Sequence, residues 1–154
     1  MSVALRYSSN KMEAEEILND AFFKAFSRLD QYDEHYDFKQ WFRVILINTS
    51  IDYFRKYKKL AIYPSGELIS AEVEQNTGWE NLLYEDILKH IQSLPPSYRL
   101  VFNLFAIEGY KHHEIAEKLS ISVGSSKSNY AKARKLLQSY LKKSKAVSLF
   151  KYGK

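Results

Sequence analysis

Two stretches of apolar residues at helical spacing, separated by a stretch without that spacing, constrain the fold of this 154-residue chain more than any other feature. Apolar side chains recur three and four positions apart before residue 60 and again from about residue 80, and no segment shows the alternation typical of a strand. Residues 60–80 contain two turn-forming triplets, at 64–66 and 76–78, and no Lys or Arg. We therefore predict an all-α fold, with small helical domains at residues 1–59 and 81–154 joined by a flexible acidic linker.

The first long helix is predicted to begin at a capping box, in which Asn10 caps the helix and Glu13 follows three residues later. A buried stripe is expected along one face, formed by Ala14, Ile17, Leu18, Ala21, Phe22, Ala25, Phe26 and Leu29. Phe23 lies off that stripe among acidic and amide side chains, which suits contact with another protein. Packing of Phe23 against a neighbouring helix is an equally open interpretation.

A polar loop at residues 30–37 carries aromatic side chains and leads into a second helix, predicted over residues 38–59. At about 100° per residue, one face of this helix aligns Asn48, Asp52, Arg55 and Lys59, and Lys56 flanks that row. The loop supplies the rings of Tyr32 and Tyr36. Rings for stacking beside cations for phosphates are what a single-stranded nucleic acid needs. Core packing is the other interpretation of such rings, and we favour it for Trp41 and Phe42.

The strongest motif of the chain is a predicted helix-turn-helix. A short helix at residues 113–119 is followed by a turn at 120–122 and a second helix at 123–135, and Ala116 is small enough for the two helices to cross closely. Such a second helix lies in the major groove of DNA with its N-terminal half at the base edges. From Lys127 onward there are nine basic and no acidic side chains, which indicates contact with phosphates. An ordinary helical hairpin is the other interpretation of this segment.

The charged residues are unevenly distributed along the chain. The net charge of +5 divides into −4 in residues 1–37, +5 in residues 38–59, −6 in residues 60–88 and +10 in residues 89–154. Two basic segments separated by an acidic one indicate two contact points on a polyanion. Solvated helix faces are the alternative explanation of such runs.

Several classes of protein are excluded by the composition. The absence of Cys excludes disulfides, thiolate metal sites and a Cys nucleophile. The longest apolar runs, such as residues 44–47, are far shorter than the roughly 18 residues of a membrane span, and no signal peptide is recognisable, so we expect a soluble cytoplasmic protein. His112 and His113 lack the spacing of a zinc-binding His-Glu-x-x-His motif. We expect a solvated histidine pair, no metal site, no cofactor and no enzymatic activity.

Four stretches of the chain together are similar to one known family. They are AEEILNDAF at residues 14–22, WFRVILINTSID at 41–52, LPPSYR at 94–99 and the helix-turn-helix at 114–134. In this order and spacing they resemble the extracytoplasmic-function group of bacterial RNA polymerase sigma factors, over nearly the whole chain. The resemblance implies a sigma factor that binds core RNA polymerase and directs initiation at promoters with −10 and −35 elements.

The resemblance also implies a function for each domain. Residues 1–59 are similar to region 2, which binds the polymerase clamp helices and the −10 element, and residues 81–154 are similar to region 4, which binds the flap of the β subunit and the −35 element. The implied polymerase-binding residues are Asn19, Asp20 and Phe23. The implied −10 residues are Tyr32 and Asn48, around a flipped base, and Arg55, Lys56 and Lys59, on phosphates. The implied −35 residues are Lys127, Ser128, Asn129 and Ala131, at the bases, and Lys132 and Arg134, near phosphate.

Some positions depart from the pattern of the family. The part before residue 10 is expected to be about one helix shorter, Ser120 replaces the usual Gly of the turn, and Ser122 replaces a frequent Pro. Ser126 replaces a buried aliphatic residue, so we expect looser or tilted packing of the second helix.

Two further expectations concern partners. The acidic linker resembles the family segment that follows the path of the RNA, and an anti-sigma factor is a candidate partner because many relatives have one. The alternative is a stand-alone helix-turn-helix regulator, which would need a dimerisation or ligand-binding domain at its N-terminus. Residues 10–59 contain no Gly-rich phosphate loop or other signal of such a domain.

Overall fold

The fold is that of a computed structural model, which describes the backbone of residues 1–60 and 79–143 and the side chains of residues 1–57 and 84–142. These ranges form seven α-helices, one short 3₁₀-helix and one π-helical segment. They contain no strand, which confirms the predicted all-α fold. None of the helices within them is long and apolar enough to span a membrane.

The chain divides into two compact units, unit 1 (Met1–Glu67) and unit 2 (Leu68–Lys154). Each unit has its own buried apolar side chains. Most of the predicted acidic linker, at residues 61–78, lies outside the described residues, and so does the basic tail after Lys143.

Unit 1 contains three α-helices, α1 (Ser2–Tyr7), α2 (Lys11–Phe26) and α3 (Phe38–Leu60), with a 3₁₀ turn at Leu29–Gln31. The predicted N-cap is confirmed, because Oδ1 of Asn10 accepts the backbone N–H of Glu13 at 2.9 Å. The Glu13 carboxylate accepts the N–H of Ser9 at 2.7 Å, one residue earlier than in a standard capping box. The start of α3 is stabilised in the same way by Asp37, whose carboxylate accepts the N–H of Lys39 at 2.7 Å.

The described core of unit 1 combines four alanines with five branched aliphatic side chains. The buried cluster consists of Ala4, Ala14, Ile17, Ala21, Ala25, Ile45 and Leu46. Alanine allows the axes of packed helices to approach closely, so α2 lies close against α3 along a narrow seam. The predicted stripe is wrong at its C-terminal end, where Phe26 is 73% and Leu29 is 50% exposed, and Phe22 is 43% exposed. At about 100° per residue, Phe26 lies about 120° around α2 from Ala14, which is outside the alanine seam.

Unit 2 contains α4 (Trp79–Gln92), α5 (Pro96–Phe102), a π-helical segment (Asn103–Ile107), α6 (His112–Leu119) and α7 (Val123–Lys143). Pro96 opens α5, at a position where a missing N–H leaves no helical bond unmade. After α5 the backbone widens, so that the N–H of Glu108 bonds to the carbonyl of Asn103 at 3.0 Å. Gly109, at φ +80°, then ends this helical run, as expected of a C-terminal glycine.

Branched aliphatic side chains dominate the core of unit 2. Its buried apolar residues are Ile91, Leu94, Leu100, Val101, Leu104, Ile115, Ala116 and Ala133. Two buried polar side chains are hydrogen-bonded to main-chain carbonyls within the unit: Arg99 donates to Leu94 at 2.9 Å, and Asn103 donates to Arg99 at 3.0 Å. Helices α4, α5 and α6 all pack on α7, so this core determines which face of α7 is turned to solvent.

Candidate nucleic-acid interface

The turn of the predicted helix-turn-helix is closed by Ser120, which has φ +52° and ψ +49°. The N–H of Ile121 bonds to the carbonyl of Ala116 at 3.0 Å, and the N–H of Ser120 bonds to the carbonyl of Glu117 at 3.3 Å. This pair of bonds is a Schellman motif, in which the residue with positive φ is usually Gly. The chain therefore makes the tight turn of the motif with a residue for which that conformation is unfavourable.

Helix α7 begins directly after this turn. Oγ of Ser122 accepts the N–H of Ser125 at 2.9 Å, which caps the first turn of α7. Glu114 stabilises the start of α6 by accepting the N–H of Lys111 at 2.7 Å. Both helices of the motif thus have a defined N-terminus, and the predicted bounds of the motif are confirmed to within one residue at the starts of α6 and α7.

The predicted −35 residues lie on several faces of α7. Lys127, Ala131 and Arg134 are exposed and form one stripe, because they are spaced four and three residues apart. Ser128 and Lys132 are exposed on the adjoining stripe.

The remaining −35 candidate, Asn129, is less exposed than the others, and the exposed Lys132 contacts a ring of α5. Asn129 is half-buried and lies about 160° around the helix from Ala131 at 100° per residue, so its side chain does not share a face with the first stripe. Nζ of Lys132 is 5.7 Å from the centre of the Tyr98 ring of α5, a cation–π distance.

In unit 1, polar contacts between α2 and α3 lie beside the outward face of α3. Nζ of Lys24 lies 3.0 Å from the carboxylate of Asp52. The hydroxyls of Tyr53 and Tyr57 donate to the carboxylate of Glu16 at 3.3 and 3.2 Å. Burial is the main cause of the raised pKa of Tyr53, so its hydroxyl keeps its proton.

The predicted −10 residues on α3 lie on this outward face. Asn48, Arg55 and Lys56 are exposed, and Lys59 belongs to α3 although its side chain lies outside the described residues. Nη1 of Arg55 is 3.9 Å from the Asp52 carboxylate, which offsets part of the positive charge of the row. A phosphate bound here would therefore compete with an acidic neighbour.

The aromatic loop before α3 is held together by its own side chains. The hydroxyl of Tyr32 donates to the carbonyl of Tyr36 at 2.7 Å. The ring of Tyr32 meets Phe38 edge-on at 5.4 Å and Trp41 at 5.1 Å between ring centres. Hydrogen bonds from the main chain and the ring of His35 lower the pKa of Asp33. The rings of Tyr36 and Phe38 are 71% and 46% exposed, so the loop presents aromatic faces to solvent.

The structure joins this loop to the row on α3. Trp41, Asn48 and Arg55 are spaced seven residues apart, which places them on one face of α3 with about 10.5 Å between successive members. Because Tyr32 packs on Trp41, it stands at the N-terminal end of the same face. Tyr32, Asn48 and Arg55 therefore follow one line along unit 1, from a cluster of rings to the cations at the end of α3, where Lys56 flanks the line.

The predicted polymerase-binding residues lie on the exposed face of α2. Asn19 and Asp20 are exposed, and Phe23 is 74% exposed, so Phe23 does not pack against a neighbouring helix. Phe26 lies seven residues after Asn19 and thus on the same face. Together these residues form a surface of exposed rings beside an acidic group, which is unusual for a face that contacts only water.

Sequence reasoning missed the position of His112, which was expected to be solvated. Nδ1 of His112 lies 2.9 Å from Oγ of Ser126, and its ring stacks on Phe105 at 4.3 Å. Burial and, to a smaller extent, the charge of Lys127 lower the pKa of His112. The neighbouring His113 is exposed as expected. No local pattern connects His112 to residues seven and fourteen positions away, so only the packed structure reveals this cluster.

Unit 2 also has an apolar groove of about 250 Å³ between α4, α5 and α7. Its walls are formed by Ile87, His90, Ile91, Phe102, Arg134, Leu137, Gln138 and Leu141. Ile87 and Leu141 are 46% and 38% exposed at its edge. The groove lies on the C-terminal half of α7, and Arg134, one of the predicted −35 residues, is among the residues that line it.

Two family matches cover most of the chain. The family described as Sigma-70 region 2 matches residues 1–60, and that described as Sigma-70, region 4 matches residues 84–137. The ECF RNA polymerase sigma factor SigW of Bacillus subtilis (strain 168) is 31% identical over 150 residues, which cover 89% of this chain and 80% of SigW. The ECF RNA polymerase sigma factor SigE of Mycolicibacterium smegmatis is 25% identical over 146 residues, which cover 92% of this chain but only 56% of SigE.

Two solved structures have a similar fold. The sigma factor RpoE from Bartonella quintana, in complex with the anti-sigma factor NepR, matches with a TM-score of 0.55 at 23% identity, over 92% of this chain and 88% of that chain. CnrH, in complex with the cytosolic domain of CnrY, matches with a TM-score of 0.52 at 21% identity, over 91% and 78% of the two chains. At such low identities these two matches support the fold alone.

Proposed function

Because the chain belongs to the extracytoplasmic-function (ECF) family of RNA polymerase sigma factors, we propose that its two units bind two separate elements of one promoter. As a member of this family it binds core RNA polymerase and directs promoter-specific initiation of transcription. A stand-alone regulator is not favoured, because the region 2 family matches the whole of residues 1–60. We propose in addition which unit binds which promoter element.

In this proposal, α7 of unit 2 reads the −35 element. The stripe of Lys127, Ala131 and Arg134 supports it, because it offers two cations and one methyl group on a single exposed helix face. Ser128, Asn129 and Lys132 are proposed to contact DNA at the edges of the stripe. Cations on such a helix bind phosphates, and the methyl group of Ala131 suits contact with thymine.

Unit 1 is proposed to hold the melted −10 element along α3. The line from the Tyr32 ring through Asn48 to Arg55 supports this role, because it combines stacking, amide recognition of a base edge and phosphate binding. Lys56 and Lys59 are proposed to extend the phosphate-binding end. Base capture of this kind compensates for the few kcal/mol that unstacking costs.

Contacts with polymerase are proposed on both units. Asn19, Asp20 and Phe23 on α2 would bind the clamp helices, since an exposed ring beside a carboxylate suits a basic and partly apolar partner. The apolar groove of unit 2 would accept the flap of the β subunit. An anti-sigma factor is a further proposed partner, as the similar sigma factor RpoE of Bartonella quintana binds the anti-sigma factor NepR.

The chain itself is proposed to catalyse no reaction and to require no cofactor, because nucleotide transfer is the chemistry of the polymerase. We place its action in the cytoplasm because a promoter and a polymerase are its proposed partners. Residues 1–59, 60–80 and 81–154 are proposed as the region 2 domain, the linker and the region 4 domain.

Run-off transcription with the full chain, purified core polymerase and a fragmented genomic template tests the proposal. We expect transcripts that begin at discrete sites and share two conserved blocks upstream, at spacings typical of −35 and −10 elements. Core polymerase alone is the control and is expected to give no such discrete starts. Discrete starts that share only one block would contradict the division between the units, and the absence of promoter-specific transcripts would contradict the function.

A further inference from the structure

The side chain of Ser126 is buried inside the helix-turn-helix. Ser126 is 0% exposed, although its neighbours Ser125 and Lys127 are exposed. The packing around this side chain is therefore closed to solvent, and the looser or tilted packing of the second helix stays a prediction. A buried hydroxyl is costly unless it is hydrogen-bonded, and the Ser126 hydroxyl bonds across the motif to Nδ1 of His112 at 2.9 Å.

The His112 ring, at the first residue of α6, also contacts two aromatic rings of other segments. It stacks on Phe105 at 4.3 Å with 12° between the ring planes, and meets Tyr130 of α7 at 6.0 Å. Phe105 belongs to the π-helical segment, whose widened turn is an uncommon conformation often found near functional sites. Tyr130 in turn packs on Phe105 at 4.5 Å. Three segments of unit 2 thus meet at one imidazole.

This contact has a geometric consequence for the exposed face of α7. Ser126 precedes Lys127 by one residue, about 100° around the helix, so any rotation of α7 that moves the serine also moves the Lys127, Ala131 and Arg134 stripe. A hydrogen bond is directional, whereas an aliphatic contact of similar volume tolerates rotation and sliding. The bond therefore limits the orientation of the face that α7 presents.

We propose that His112 is a positioning residue for promoter recognition, which sets the rotation of α7 through its hydrogen bond to Ser126 and thereby determines discrimination among −35 sequences. This inference rests on the proposed reading of the −35 element by α7. The lowered pKa of His112 is consistent with it, because a neutral imidazole can share a proton with the hydroxyl at pH 7.

The test compares the affinity of the full chain for two duplexes at one salt concentration. The specific probe is the duplex that the unmodified chain enriches from a randomised pool, and the reference is a shuffled duplex of the same composition. We expect His112→Phe, which keeps a stacking ring, and Ser126→Ala each to lower the specific-to-shuffled ratio about tenfold. Affinity for the shuffled duplex is expected to stay within about twofold, because the phosphate-binding cations are unchanged. The double variant should be no worse than either single variant.

A rescue variant separates positioning from simple support of the fold. His112→Asn places an amide group near the position of Nδ1 without the ring, so we expect it to recover most of the ratio lost in His112→Phe. His113→Phe and His113→Asn are matched controls at an exposed neighbour and should leave the ratio unchanged. If His112→Phe lowers the melting temperature but not the ratio, or if His112→Asn recovers nothing, the proposal is wrong.

A second measurement needs no DNA and separates this proposal from the proposed function. Hydrogen exchange of the amides of residues 127–131 in the full chain is expected to be faster in His112→Phe and Ser126→Ala and restored in His112→Asn. If the unmodified chain enriches no duplex, the proposed reading of the −35 element by α7 is wrong. The exchange data still decide whether the bond between His112 and Ser126 fixes the position of α7. Unchanged exchange in both single variants would overturn the positioning role.

Discussion

Unit 1 and unit 2 both bury alanines and branched aliphatic side chains, but they expose different groups to solvent. Unit 1 leaves rings such as Phe23 and Phe26 about three-quarters exposed. Unit 2 exposes the cations of α7. The difference indicates that the surface of unit 1 is suited to binding a macromolecule with apolar groups. The surface of α7 is suited to binding phosphates.

The cations of the two units also have different surroundings. In unit 1, Asp52 lies 3.0 Å from Lys24 and 3.9 Å from Arg55, so an acidic group stands within the basic row. In the described part of α7, residues 123–143, there is no acidic residue. Unit 1 is therefore expected to depend on stacking and shape, and α7 to depend on charge.

The largest expected effect comes from opening a cavity in either core. Ile17→Ala in unit 1 and Leu104→Ala in unit 2 should each lower the free energy of unfolding of their own unit by about 3 kcal/mol, because both side chains are almost fully buried. Hydrogen exchange in the two units measures this, with Met12→Ala, at a 78% exposed position, as the control. Equal losses in both units after either substitution would show that the units do not fold separately.

The second-largest expected effect tests whether unit 1 depends on stacking of a base on an aromatic ring. Tyr32→Ala should weaken promoter opening by about 2 kcal/mol, because it removes a stacking ring, and should leave binding to a duplex −35 element unchanged. Tyr32→Phe keeps the ring and loses only the hydrogen bond to Tyr36, so it should retain most of the opening. A fluorescent base in the −10 element reports opening in the presence of core polymerase. Unchanged opening in Tyr32→Ala would remove this residue from the −10 site.

Lys127→Ala tests the dependence of α7 on charge. It should weaken binding to a −35 duplex by about 1 kcal/mol and reduce the slope of affinity against salt by about one phosphate contact. Open-complex formation on a template with a pre-melted −10 element should remain largely intact. Lys11→Ala, which removes an exposed lysine of unit 1, is the matched control for net charge. Losses of equal size on both templates would contradict the division between the units.

Ser120→Gly should raise the stability of unit 2 by about 1 kcal/mol, because glycine adopts the positive φ of this turn without strain. For a unit of this size, that corresponds to a rise in melting temperature of about 4–8 °C. Ser139→Gly, within α7, should have the opposite sign, because glycine weakens a helix interior. A lower melting temperature for Ser120→Gly would mean that the serine side chain is required at the turn.

The smallest expected effect is a pH dependence of the stability of unit 2 that is caused by His112. Burial and the facing charge of Lys127 lower the pKa of His112 from 6.5, so the unfolded chain takes up a proton before the folded one does. The contribution of neutral His112 to the free energy of unfolding is present in full above about pH 6.5. It is lost as the pH falls from there through the lowered pKa. His112→Phe should therefore flatten the pH dependence of the melting temperature between pH 7 and pH 5. An unchanged slope would mean that His112 does not titrate with folding.

Local patterns in the chain predicted the main helices but not α1. The Asn10 cap and the start of α3 at Phe38 are confirmed. Helical spacing also predicted the row of Asn48 and Arg55 on α3, whereas the −35 residues on α7 were implied by the family resemblance, and the roles of both sets stay predictions. Periodicity misplaced Phe26 and Leu29, because it specifies an apolar face and not the width of the seam that a neighbouring helix covers.

The amino-acid sequence by itself determined the helical segments, the helix-turn-helix and the position of the cations, because each depends on residues within a few turns of one another. Only the tertiary structure decided that Tyr32 stands at the end of the Asn48 row and that Ser126 meets His112. These contacts depend on the distance and rotation between packed helices. Those quantities are set by core side chains far apart in the chain, so no local spacing encodes them.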